Sequence, residues 1–221
     1  MATLFKLLPD TVHGGNMTLS EIIDGIRKVL DEKDSLREEA LKITREIVRL
    51  SGDSIKALHR GEKELAQWRI KEVRKRVEEL NEKLQLHPDL YFTGYVQNAH
   101  QEFVEAVLFY SYITGAEFPS PEELGVPEAN YLLGIGDFIG ELRRHFLLLL
   151  MDGRIEDARR VYETMSEIYE ELMTLEYPKG LVNIRQKQDQ ARYIIERTLE
   201  DLTRAKLTKS LEEKLNNALK T

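Results

Sequence analysis

Gln101-Glu102-Phe103-Val104-Glu105-Ala106-Val107 and Gly136-Asp137-Phe138-Ile139-Gly140-Glu141-Leu142 lie in one stretch, Asn98 to Asp152. Each places two acidic residues inside otherwise apolar helical text. On a helix, residues three or four apart share a face. Glu102 and Glu105 therefore point the same way, as do Asp137 and Glu141. Carboxylates are seldom tolerated among apolar side chains unless paired, hydrogen-bonded or bound to a metal. If the two helices pack together, four carboxylates converge. Such an all-oxygen set suits a hard divalent cation. The alternative is a polar stripe on two half-buried helices, with the acids paired to Arg143 or Arg144.

Working outward, the same helical text continues on both sides. Thr18-Leu19-Ser20-Glu21 is a capping-box pattern. It opens a stripe of Ile22, Ile26, Val29, Lys33, Leu36, Ala40, Ile43, Ile47 and Leu50, broken only by Lys33. This spacing predicts a long helix packed along its length, bent or ended by Gly52 or Gly61. A second helix is expected over 62–86, closed by His87-Pro88. A third is expected over 90–114 and a fourth over 128–151, both apolar nearly all round and so buried. A fifth follows over 155–175, a sixth over 181–207 and a short seventh over 210–219. No βαβ alternation, strand hairpin or glycine-rich phosphate loop appears, and the fold class read from the sequence is all-α. Residues 1–17 carry turn chemistry and are expected to form a flexible N-terminal arm, with 18–221 as one domain.

The composition agrees, with 42% hydrophobic and 32% charged residues, few prolines and no cysteine. Lack of cysteine excludes disulfides, thiolate zinc sites and cysteine nucleophiles. No signal pattern opens the chain, and the longest apolar run, Phe146 to Met151, is too short to cross a bilayer. No membrane role and a cytoplasmic location are expected. The net charge of −7 argues against nucleic acid at first sight, but Lys42 to Arg76 carries eleven Lys and Arg against five Asp and Glu. That local excess is either a phosphate-binding surface or a solvated face laced with ion pairs. Charge alone favours the second. Arg45, His59 and Arg60 are the candidate phosphate contacts, and His100 is a candidate substrate contact beside the acidic stretch. Trp68, the only tryptophan, reads as a packing residue rather than a base-stacking one. No His-x-x-x-His spacing marks a zinc site. The Glu-x-x-His pairs of a di-iron bundle are also missing, since Glu141 is followed by His145 at four.

The two acidic stretches, together with Tyr131-Leu132-Leu133-Gly134-Ile135 before the second, resemble the translin/Trax family, and its Trax branch more closely, as an archaeal-type endoribonuclease subunit. Thr44-Arg45-Glu46-Ile47 and Leu58-His59-Arg60 add weaker support. The similarity runs over nearly the whole chain after about residue 20. It implies a seven-helix protomer assembled as a homo-oligomer, an octamer, into a hollow shell. It implies binding of single-stranded RNA, or single-stranded DNA, and Mg2+-dependent endoribonuclease activity, with Mn2+ as the other suitable ion. The family's catalytic positions fall on Glu102, Glu105 and Asp137, which also hold the metal, with Glu141 as a supporting ligand. The second function class is a non-catalytic nucleic-acid-binding scaffold. The chain departs from the family by a short loop between the third and fourth helices and by lacking a basic nuclear-localisation run.

Overall fold

The computed structural model describes residues 17–219. Most of the arm expected over 1–17 therefore lies outside the described residues. Every regular element among the described residues is a helix: α1 (Leu19–His59), α2 (Lys63–Leu84), α3 (Pro88–Tyr91), α4 (Gly94–Thr114), α5 (Pro121–Leu124), α6 (Glu128–Met151), α7 (Ile155–Met173) and α8 (Ile184–Ala218). The all-α reading is correct. None of these helices is long and apolar enough to cross a membrane.

The chain divides into two compact units, one ending at Glu39 and the other beginning at Ala40. The first holds the opening turns of α1. Its capping box forms as the sequence predicts: the Thr18 amide donates to Glu21 Oε2 at 2.7 Å and the Glu21 amide to Thr18 Oγ1 at 3.3 Å. Ile22, Ile26, Val29 and Leu30 are exposed there. The expected packing along the whole stripe is thus corrected: within this chain the stripe is buried only from Ala40 onward, at Ala40, Ile43 and Ile47.

In the second unit α6 is the central helix, packing on α4, α7 and α8, while α2 packs on α4. Phe103, Phe109, Phe138, Phe146, Ile139, Leu142 and Met165 fill the core. Both α4 and α6 are apolar on most sides because each has neighbours on several faces. Gly61, at φ +79°, ends α1. Gly52 does not bend it, because a lone glycine in a long helix forfeits propensity without breaking the hydrogen-bond ladder. The expected third helix is two elements, since Thr93 adopts an extended conformation at the start of α4. The expected sixth and seventh helices are one, α8, because Thr208-Lys209-Ser210 contains no glycine or proline to stop it. Gln188 of α8 closes α7 by donating from Nε2 to the Leu172 and Leu175 carbonyls at 2.7 and 2.9 Å.

Two of the three glycines of α6, Gly134 and Gly136, serve close approach, and the helix runs unbroken through all three. A methyl group at Gly134 would lie 2.7 Å from Val104 Cγ1, 2.8 Å from Val104 Cβ and 3.0 Å from the Gln101 carbonyl oxygen. This glycine sets the α4–α6 distance and so the spacing of the acidic residues. Gly134→Ala is expected to destabilise by about 1–3 kcal/mol through overpacking. Gly140 has nothing within 4 Å of such a methyl, so Gly140→Ala is expected to stabilise by up to about 1 kcal/mol. Chemical denaturation of the two variants checks both, and equal effects would remove the spacing role of Gly134.

Candidate metal and phosphate site

The close α4–α6 contact brings the two acidic stretches to one place. Glu102 and Glu105 come from α4, and Asp137 and Glu141 from α6. Their proximity is felt electrostatically. Burial, then the charges of Asp137 and Glu141, push the Glu102 carboxyl above the usual carboxylate range, with Lys187 pulling the other way. Glu105 is pushed up to about 8, first by burial, then by Glu102, Asp137 and Glu141, again with Lys187 opposing. Like charges sharing one half-buried site produce this pattern.

Among the described residues the expected pairing of these acids with Arg143 or Arg144 does not occur. Arg143 turns away, donates to Asp201 of α8 and lies 5.2 Å over the Phe146 ring. Arg144 is exposed. The acids of α6 are met by two other groups. Lys187 Nζ of α8 donates to Asp137 Oδ1, and His59 Nε2 lies 2.5 Å from Glu141 Oε2. His59 is seated against the Phe109 ring, with centroids 4.7 Å apart.

Among the described residues no three His, Asp or Glu side chains stand close enough to hold a metal ion. In kind, however, the donors fit a hard divalent cation, being four carboxylates without nitrogen or sulfur. Burial and then crowding of like charge raise Glu105, and a bound cation would relieve both by favouring the ionised carboxylates. Asp137 and Glu141 would have to leave Lys187 and His59 to join a common ligand set.

The remaining sequence candidates separate. Arg45 is exposed on α1. Arg60 is exposed too, but donates from Nε and Nη2 to Glu62 at 2.9 and 2.7 Å. The His59 side chain is only 4% exposed, which places it in the carboxylate cluster rather than on the basic face. His100 is fully buried, at 0% exposure. Asn130 Nδ2 donates to its Nδ1 at 3.1 Å, so it is a core residue with no surface to offer a substrate. Burial lowers its pKa to about 4. Much of the basic segment is spent in ion pairs, including Arg76 with Glu46 and Glu79, Lys75 with Glu72, and Arg69 and Lys56 with Asp53. Trp68 is 57% exposed, which corrects its reading as a packing residue.

Sequence reasoning missed Lys187. It follows Ile184 by three and precedes Ala191 by four, inside the buried stripe of α8. A lysine on an apolar stripe was the available signal.

An all-α chain whose acidic residues meet where α4 packs on α6 defines a class of helical-bundle proteins. More particularly, the chain belongs to the Translin family, whose model matches residues 35–202. It is 37% identical over 175 residues to an uncharacterised protein of Methanocaldococcus jannaschii, covering 78% of each. Its fold matches AfC3PO in a duplex RNA complex (TM-score 0.77, 38% identity, 85% of this chain and 97% of that one). It also matches apo-NeC3PO (TM-score 0.77, 27% identity, 86% of this chain and 100% of that one).

Proposed function

We propose that this protein is a Trax-like, Mg2+-dependent endoribonuclease that acts on RNA as a homo-oligomer, an octamer by resemblance. The observation that carries this reading is the meeting of Glu102 and Glu105 with Asp137 and Glu141 without an arginine partner. Membership in the Translin family and likeness to AfC3PO, a protein known with duplex RNA, support RNA as the substrate class. Glu102, Glu105 and Asp137 would hold Mg2+ or Mn2+, with Glu141 in support. When bound, such an ion supplies charge stabilisation at a phosphoryl oxygen and lowers the pKa of a bound water.

The chain's own residues prepare the site. α4 and α6 fix the carboxylates on two rigid helices. Glu105 retains its proton near neutral pH when no metal is bound, which limits repulsion in the empty cluster. Lys187 and His59 hold Asp137 and Glu141 in place.

A specific observation favours the second reading, a non-catalytic RNA-binding scaffold: Asp137 already has the Lys187 ammonium and Glu141 the His59 imidazole as partners, as structural acids would. Incubation of unstructured and duplex RNA with Mg2+, Mn2+ or EDTA decides between them. Cleavage that depends on the metal supports the nuclease. Binding without cleavage under all three conditions supports the scaffold.

Binding itself is expected to be strongly salt-dependent. Bound phosphates release counterions, so affinity falls steeply as salt rises. Arg45→Ala combined with Arg60→Ala is expected to weaken RNA binding and flatten its salt dependence. The log–log slope should fall by roughly one for each phosphate that the variant no longer neutralises. An unchanged slope in fluorescence-anisotropy titrations would leave this face as solvated ion pairs alone.

A further inference from the structure

Lys187 reaches the carboxylate cluster from α8, across a helix face that glycine leaves open. A methyl group at Gly136 would stand 2.8 Å from Lys187 Cβ and 2.9 Å from both Cγ and Cδ. The lysine stem therefore runs directly over Gly136, and its ammonium donates to Asp137 Oδ1 on the next residue. The Lys187 side chain is 18% exposed, and its charge acts on Glu102 and Glu105 as well as on Asp137. A confined lysine loses rotamer freedom, and here the collective charge of the carboxylates compensates.

We propose that Lys187 is the resident counter-cation of the cluster: its ammonium competes with a divalent ion for Asp137 and releases that carboxylate when the ion binds. This rests on the metal reading of Glu102, Glu105 and Asp137. Ammonium and metal ion are drawn by the same negative charges and repel each other. The lysine keeps the empty site folded and sets how tightly metal is taken up. It is a positioning residue, acting through Asp137.

Mn2+ binding, followed by the electron paramagnetic resonance of the free ion, tests this on the full chain. Lys187→Met keeps the stem and removes the charge. It is expected to bind Mn2+ at least roughly tenfold tighter than the wild type, since one nearby charge shifts an ionic equilibrium by about one to three decades. Lys187→Arg keeps the charge and is expected to bind like the wild type. Lys187→Gln, which retains a donor for Asp137, is a second neutral variant should the first fold poorly, and it is expected to tighten binding as well. In the neutral variants the metal-free melting temperature should fall and Mn2+ should restore it. A lysine of purely structural role would lower the melting temperature without tightening metal binding, and that result overturns the proposal. If Glu102→Gln and Glu105→Gln abolish Mn2+ binding while the neutral Lys187 variants bind like the wild type, only the Lys187 inference fails. If Glu102→Gln and Glu105→Gln bind Mn2+ like the wild type, the metal reading fails with it.

Discussion

Glu102→Gln, Glu105→Gln and Asp137→Asn are each expected to reduce RNA cleavage by at least about a hundredfold while leaving RNA affinity nearly unchanged. Each substitution keeps side-chain shape and removes a charge that the proposed metal site would need. Metal-derived charge stabilisation contributes several kcal/mol, and each 1.4 kcal/mol is about tenfold in rate. Stability separates this outcome from a structural role. An acid buried against an arginine would, on neutralisation, strand the arginine and cost about 3–5 kcal/mol. Here Arg143 is bonded to Asp201 instead. Glu102 and Glu105 sit among like charges, so their neutral variants are expected to melt at or above the wild-type temperature in the absence of metal. Asp137→Asn differs, because it removes the partner of Lys187 and is expected to melt somewhat lower. Cleavage and melting temperature are to be measured on the same preparations. Stable variants that cut RNA at the wild-type rate would refute the catalytic assignment.

The metal-free protein is expected to be most stable in a weakly acidic window and to lose stability on both sides of it. His100 has its pKa lowered from 6.5 to about 4 by burial. Between those values the unfolded chain binds a proton that the folded chain does not, so stability falls as pH drops from about 6.5 towards 4. Glu105 has the opposite sign. Its pKa is raised from 4.5 to about 8, so between those values the folded chain holds the extra proton, and stability falls as pH rises. Each group contributes a slope of up to about 1.4 kcal/mol per pH unit. Where the two ranges overlap the slopes offset, which leaves a plateau. Glu105→Gln is expected to flatten the alkaline limb, and His100→Asn the acid limb. Saturating Mg2+ is expected to weaken the alkaline limb, because a bound cation favours the ionised carboxylates. Urea denaturation across pH 4 to 9 with and without EDTA checks the shape. An alkaline limb unchanged in Glu105→Gln would show that burial and the neighbouring charges do not hold the Glu105 carboxyl up in solution.

The sequence by itself determined the helical class and most helix positions. The bounds of α6 were legible because Pro127 and Asp152-Gly153 punctuate its ends, and the Thr18–Glu21 cap was legible because its chemistry is local. The acidic pairs could be placed on shared faces because helical periodicity alone orients Glu102 with Glu105 and Asp137 with Glu141. Tertiary structure decided everything that depends on contacts between residues distant in sequence. Only the packing of α4 on α6 over Gly134 brings the two acidic faces together. His59, assigned to the basic face by its neighbours in the chain, faces Glu141, 82 residues away. His100, next to Gln101 and Glu102 in sequence, turns into the core because a helix rotates successive residues by about 100°. Lys187 joins the cluster across 50 residues because α8 packs on α6 and Gly136 leaves room for its stem. Periodicity fixes which way a side chain points from its own helix, and only the packing of helices fixes what it meets there.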